Sequence, residues 1–295
     1  MKQNYNNFLK TSDGEQIFHT TNFPPGTIHE NVLVFNYGLV CSNHHWIKQI
    51  EYFDNLGLPI LLHDYRGHFQ SSGISDIKKI TFEQIASDIK ELLDFLGLKN
   101  SILLGHSMGV NVCLEFAKNW GESHLKSMIL ISGSIVPVHD IMMNTHLTGA
   151  VKPLLFSILK KFPREFNAFW KYGGWTSIIQ KVIHAGGFNI TQVSDEFIEI
   201  YLNKIGQLGP ELFFQLIDEM QRHDIMAHTS QIHVPTLVVG GNQDKVIPNY
   251  LQKLMCSKLE GAQIYTIHEG SHVPQVDFPK MINQRIQFFL DRSMA

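Results

Sequence analysis

The stretch Gly105-His106-Ser107-Met108-Gly109 places a serine between two glycines directly after the apolar run Ser101-Ile102-Leu103-Leu104. A serine hydroxyl can attack a carbonyl carbon. As a neutral alcohol it is a weak nucleophile, and it needs a base within hydrogen-bond reach and an acid that holds the base in the right tautomer. The chain has sixteen histidines. Of these, His272 in Gly270-Ser271-His272-Val273-Pro274 sits in a loop immediately after the last strand-like run. Asp244 follows Leu237 to Val239 through Gly240-Gly241-Asn242-Gln243 and leads into Lys245-Val246-Ile247-Pro248. Ser107, Asp244 and His272 thus fall on three separate loops, each after a strand-like run. Asp277, close behind His272, and Asp224 are worse-placed acids. The plainer alternative is that Asp244 only caps the element after it and that His272 is a loop residue with no partner.

Such residues meet only if regular elements carry them to one place. The run before the motif is short, branched and apolar, as in a strand buried on both faces, and Val110 to Trp120 has helical spacing. Ser107 is therefore expected on a sharp strand-to-helix turn, with glycine needed on both sides and the positive helix N-terminus behind the hydroxyl. Val32 to Phe35, Pro59 to Leu62, Ile102 to Leu104, Met128 to Ile131, Thr236 to Val239 and Ile264 to Ile267 recur as strand-like runs, with helical patterns between most of them. This alternation predicts a parallel sheet covered by helices. Glu15 to Thr21 reads as part of an opening hairpin that ends at Pro24-Pro25-Gly26. Thr81-Phe82-Glu83-Gln84 is a capping signature for a helix whose apolar stripe runs to Leu96 before Gly97 stops it. The alternation fails between residues 134 and 230, where aromatic, helix-compatible segments take over. The expected organisation is a core formed by 1–133 and 231–295, with a helical insertion at 134–230.

The G-x-S-x-G turn, the strand and helix alternation and the order Ser107, Asp244, His272 together resemble the α/β-hydrolase family over nearly the whole chain. The resemblance implies an α/β fold, with a mostly parallel central sheet flanked by helices and an inserted helical cap over the active site. It also implies catalysis by Ser107, Asp244 and His272, since Gly241 to Pro248 is similar to the family's G-x-x-D-x-x-x-P acid loop and Gly270 to His272 to its G-x-H segment. The oxyanion would be held by the backbone N–H groups of Met108 and Leu39, with Tyr37-Gly38 standing where His-Gly is common and Trp46 supporting that register. Asn36 and Tyr37 are alternative side-chain donors, and Tyr37 reads equally well as a packing residue. Asp64-Tyr65-Arg66-Gly67-His68-Phe69-Gln70-Ser71 resembles the family's D-x-R-G-x-G-x-S turn, with Phe69 in place of glycine. Tyr37, Gly38, His106, Trp170, Trp175 and Val273 are the candidate pocket residues, although packing is a ready alternative for His106 and the cap aromatics.

The implied activity is acyl transfer on a small or medium apolar carboxylic ester. A thioesterase, a lysophospholipase or monoacylglycerol lipase, a C–C bond hydrolase and a perhydrolase share the fold, so the fold does not choose among them. A non-catalytic ligand- or partner-binding member is the reading from another class, and it sits poorly with a complete triad. Serine at the elbow disfavours dehalogenase and epoxide hydrolase chemistry, which uses aspartate there.

A net charge of −3 offers no field for nucleic acid. His44, His45, His63 and His68 lack the spacing of known ligand sets, so neither a metal nor another cofactor is expected. Three cysteines, an odd number widely spaced, argue against a disulfide framework and for a reducing, cytoplasmic setting. The polar Met1 to Phe8 does not read as a secretory leader, and no apolar stretch reaches the roughly 18 to 20 residues of a membrane span. Val151 to Phe162 joins apolar residues to lysines and is a candidate for surface contact with a membrane, ordinary cap packing being the plainer reading. The partner expected is a small apolar ester or acyl compound. The sequence does not indicate an oligomeric state.

Overall fold

In the computed structural model, residues 1–39, 41–71, 73–138, 161–171, 189, 191 and 193–293 are described. They form an eight-stranded sheet from β1 (Tyr5–Lys10), β2 (Gln16–Thr21), β3 (Val32–Asn36), β4 (Ile60–His63), β5 (Ser101–His106), β6 (Leu125–Ile131), β7 (Thr236–Gly241) and β8 (Gln263–Ile267). The order is β1-β2-β4-β3-β5-β6-β7-β8. The first two pairings are antiparallel and the rest parallel. Every residue of β3, β4, β5 and β7 is buried, which is why these strands read as continuous apolar runs and not as alternating ones.

The helices that follow are α1 (Ile47–Asn55), α2 (Phe82–Phe95), α3 (Met108–His124), α4 (Pro163–Lys171), α5 (Asp195–Gln207), α6 (Pro210–Arg222), α7 (Asn249–Lys258), the short α8 (Pro274–Asp277) and α9 (Pro279–Ser293). From β3 the chain steps to β4 through α1, then returns past β3 to β5 through α2. Right-handed crossovers in opposite directions put α1 and α2 on opposite faces of the sheet. The strand order reverses between β3 and β5, and a crevice opens at the carboxyl ends of strands at such a switch point. The loop after β3 and the turn after β5 both meet there.

The capping signature is realised as written: the Thr81 hydroxyl accepts from Gln84 N at 3.1 Å, and α2 buries Phe82, Ile85, Ile89, Leu92 and Leu93. The opening hairpin differs from the expected one. Its two arms are β1 and β2, joined at Thr11 to Glu15 with Gly14 at φ 94°, and Pro24-Pro25-Gly26 lies beyond it. β1 escaped the sequence reading because it is an edge strand with Leu9 as its one buried residue, so it carries no apolar run.

Arg66 is wholly buried and pairs with Asp88 of α2 and with Asp13 of the hairpin turn. Burial pushes the Asp13 carboxyl up, but hydrogen bonds from Arg66 and Thr11 and the charges of Arg66 and Lys79 outweigh it and bring the carboxyl down to about 2. Phe69, at the position of the glycine in the D-x-R-G-x-G-x-S pattern, adopts φ 40°, so the backbone keeps a left-handed turn even with a bulky residue there. Its ring lies near Tyr37 and beneath the Lys204 ammonium of α5.

Between β6 and β7 the described residues are helical or irregular, with α4, α5, α6 and a 3-10 segment at Met226–Gln231. Leu212, Leu216 and Met220 of α6 join the main core. Phe166 and Trp170 of α4 form a separate cluster with Phe213. Cys41, Cys113 and Cys256 are free thiols. Among the described residues no helix is long and apolar enough to cross a membrane, and no group of His, Cys, Asp and Glu is arranged to hold a metal ion. Val151 to Lys160 and Trp175 lie outside the described residues.

Candidate active site

The turn from β5 into α3 holds Ser107 at φ 53° and ψ −117°, a conformation that points its side chain out of the sheet. Such backbone strain persists only where the surroundings fix it. Here they do: Ser107 N donates to Ile131 O at 2.9 Å, and a Cβ on Gly109 would lie 2.3 Å from Asn36 O. No side chain fits at Gly109, so α3 starts close against β3.

Ser107 Oγ lies 3.0 Å from His272 Nε2, and His272 Nδ1 lies 3.0 Å from Asp244 Oδ2 and 3.2 Å from Oδ1. The carboxylate accepts a hydrogen bond from Nδ1–H and so keeps the proton on that nitrogen, which leaves the Nε2 lone pair facing the serine hydroxyl. The Asp244 side chain is fully buried and that of His272 is 12% exposed. Asp244 Oδ1 also accepts from Val246 N at 2.9 Å and Ile247 N at 2.8 Å. Asp244 therefore caps its own loop and faces the imidazole as well. The loops that carry Asp244 and His272 touch at backbone level: a Cβ on Gly241 would sit 2.1 Å from Gly270 O.

Asp277 serves neighbouring backbone: it accepts from Ser271 N at 2.7 Å and Asn189 N at 3.3 Å. Burial pushes its carboxyl up, against those hydrogen bonds. Asp224 accepts from Met226 N at the start of the 3-10 segment and takes no part in the serine and histidine pairing.

Gly38 lies against the elbow, where a Cβ would be 3.0 Å from His106 Nδ1 and 3.1 Å from Ser107 Cβ. Leu39 follows it in a turn. Met108 is the first residue of α3, so its N–H has no carbonyl four residues back within the helix. The Tyr37 hydroxyl is engaged elsewhere. It accepts from Tyr65 N at 3.0 Å, and the two rings pack with centroids 4.3 Å apart. Asn36 pairs through Oδ1 with His63 Nε2 at 3.2 Å. Trp46 is buried against Phe35 and near His106.

His106 is buried, and its Nε2–H donates to the carbonyl of His272 at 2.9 Å. Burial, then the neighbouring His272, lower its pKa well below the usual imidazole value, so the ring is neutral and its donor stays in place. Val273 is buried with Val193 and Phe197. Trp170 Nε1 donates to Leu208 O at 2.7 Å within its aromatic cluster. A narrow cleft of about 10 Å³, with room for about one water molecule, lies beside Ser107 and is lined by Asn111, Gly133, Ser134, Val136, Val138, Met220 and Ile247. Sequence reading did not single these residues out. Asn111 had a usable signal, since it lies one helical turn after Ser107 and shares its face of α3.

Residues 31–279 match the family described as alpha/beta hydrolase fold. The chain belongs to that family. Among curated relatives, mouse (Mus musculus) Protein ABHD8 is 26% identical over 88% of this chain and 55% of its own length. The chain thus spans about half the length of that relative. The bifunctional esterase/perhydrolase DCH of Acinetobacter calcoaceticus is 22% identical over 82% of this chain and 83% of its own. The fold of the crystal structure of bromoperoxidase from Bacillus anthracis is similar, with a TM-score of 0.76 at 18% identity over 97% of this chain and 100% of that one. Family membership gives this chain the alpha/beta hydrolase fold and does not by itself assign its reaction. Acyl group, leaving group and residue roles rest on the site itself.

Proposed function

We propose that this chain is a serine hydrolase that cleaves a small carboxylic ester by acyl transfer. The observation that carries the reading is the continuous hydrogen-bond path from Ser107 Oγ through His272 to Asp244. Ser107 Oγ attacks the ester carbonyl while His272 Nε2 takes its proton. Asp244 holds the ring tautomer and stabilises the imidazolium that forms. The negative charge on the former carbonyl oxygen is met by the N–H groups of Met108 and Leu39, donors fixed before the reaction starts. His272 then gives the proton to the leaving alkoxide, and water attacks the acyl enzyme by the same route reversed. In this reading the helices α4, α5 and α6, between β6 and β7, belong to a cap over the crevice.

The test is labelling with a fluorophosphonate, which reacts with activated serines. The native protein is expected to be labelled at Ser107 and to hydrolyse p-nitrophenyl esters. Ser107→Ala is expected to lose both, with a fall in kcat of at least about 10³-fold. A native protein that stays unlabelled beside a labelled control hydrolase would overturn the reading.

A second reading comes from the Acinetobacter relative, whose name joins esterase to perhydrolase activity. The same acyl enzyme resolved by hydrogen peroxide in place of water gives a peracid. Peracid formed from an ester and peroxide by the native protein, and not by Ser107→Ala, is the outcome that would establish it.

A further inference from the structure

A cavity of about 380 Å³ lies where the opening hairpin meets the end of α2. That volume is in the range of small-molecule sites. Its floor is the hairpin: Tyr5 and Asn7 of β1 stand opposite Thr21 and His19 of β2, so the four side chains share one face of the sheet. The wall is the chain from Asp94 to Gly97, and the rim is the segment 25–28. α2 ends just before β5 begins, at the amino ends of the parallel strands, whereas the loops of Ser107, Asp244 and His272 leave the carboxyl ends. The two places share no residue.

The polar groups of this cavity are mostly acceptors. Asp94 is the one charged side chain among the described lining residues, and its carboxylate faces Lys90 at 2.5 Å and His124 at 3.4 Å. The carbonyls of Leu92, Leu93 and Asp94 accept from Leu96 N, Leu98 N and Gly97 N, but no described donor reaches those of Phe95 and Leu96. They form the negative end of the helix. His19 is 2% exposed, and no described donor reaches either nitrogen of its ring. Burial lowers its pKa against the pull of the Ile17 carbonyl, so the ring is neutral and keeps an unused acceptor. The hydroxyls of Tyr5, Thr21 and Thr27 direct their protons to Gln3, Phe23 O and Pro24 O.

An anion placed here would meet the Asp94 carboxylate and the helix end, and both would repel it. A cation is attracted by both. Phe95 and Ile28 leave apolar surface bare at 55% and 88% exposure, and the Phe95 ring stands edge-on to His19 with centroids 6.1 Å apart. An aromatic face beside an ammonium adds an attraction of its own.

We infer that this cavity binds a small aromatic amine, whose ammonium donates to Asp94, His19 and the end of α2 while its ring lies against Phe95 and Ile28. The site stands apart from the hydrolase reading, since it uses none of the same residues.

The experiment titrates phenethylamine into the isotope-labelled full chain and follows the backbone amide signals, with phenethyl alcohol and hydrocinnamate as neutral and anionic controls. The amine is expected to shift amides at residues 5–7, 19–21 and 94–97 and to saturate with a Kd of about 1 mM or below, about tenfold tighter than either control. Asp94→Lys reverses the one lining charge and should weaken binding by about tenfold or more. His19→Phe keeps a ring and removes the acceptor, and about a threefold loss is expected. If a variant does not fold, the native protein decides alone: no saturable shift at those amides up to about 10 mM, or a control that binds as tightly as the amine, overturns the inference. Saturable shifts confined to the surroundings of Ser107 overturn it as well, because they place the amine in the other site. An affinity that neither folded variant changes is the third refuting result.

Discussion

Asp244 does two jobs with two oxygens, and the choice of substitution separates them. Asp244→Asn retains an oxygen for Val246 N and Ile247 N, so the loop is expected to keep its fold. The amide nitrogen then faces His272 Nδ1 and forces the proton onto Nε2, which can no longer accept from Ser107. A fall in kcat of about 10² to 10⁴-fold with an unchanged melting temperature is the expected result. His106 acts one residue further out. By fixing the His272 carbonyl it positions the backbone that carries the imidazole, at 2.9 Å. His106→Phe keeps the ring volume and removes the donor, and His106→Gln keeps a donor of similar reach. The expected pattern is a loss of about tenfold in kcat at unchanged KM for the first and partial recovery in the second. Steady-state kinetics on one p-nitrophenyl ester distinguishes the two. That Ser107, Asp244 and His272 would meet was legible in the sequence because each lies in a loop or turn that follows an apolar run. The bond from His106 was not, since it joins positions 166 residues apart.

Elements bring these residues together by close backbone approach, at Gly109 against Asn36 and at Gly241 against Gly270. The segment after β4 shows what such crowding does to charge. Asp64 is buried, and burial raises its carboxyl to about 6, against a hydrogen bond from Gln70 N and the charge of Lys204. An acid whose folded pKa is raised contributes stability at pH below its unfolded value of 3.8, and that contribution is lost as the pH rises through about 6. Asp64→Asn removes the buried charge and keeps an acceptor for Gln70. It is expected to stabilise the fold by on the order of 2 kcal/mol at pH 8 and to have little effect at pH 4. Equal effects in denaturant unfolding at the two pH values would refute this. α2 was readable from its Thr81 cap and apolar stripe, because both signals are local. β1 was not, because an edge strand with one buried residue is defined by its partner β2 and not by its own pattern.

At the scale of the whole molecule the helices between β6 and β7 are anchored unequally. Leu216 of α6 is wholly buried in the core that also contains the sheet, whereas Phe166 and Trp170 of α4 form a small cluster of their own. Leu216→Ala is expected to lower global stability by about 2–5 kcal/mol. Trp170→Ala should loosen only its cluster, with a smaller shift of the main transition in chemical denaturation. The sequence by itself determined the order of strands and helices from β2 onward, the family and the three loops that carry Ser107, Asp244 and His272. These are local facts, carried by periodicity, by turn residues and by what is chemically possible for serine, histidine and aspartate. Only the tertiary structure decided which side chains face Ser107. Of the pocket residues named from sequence, Tyr37 is engaged by Tyr65, Trp170 by Leu208, and Val273 packs on Val193 and Phe197. Gly38 lies against Ser107, and Asn111, Ser134, Met220 and Ile247 line the narrow cleft beside it. A pocket wall is assembled from residues distant in sequence, and whether a side chain lines it or packs behind it depends on contacts that no single segment contains.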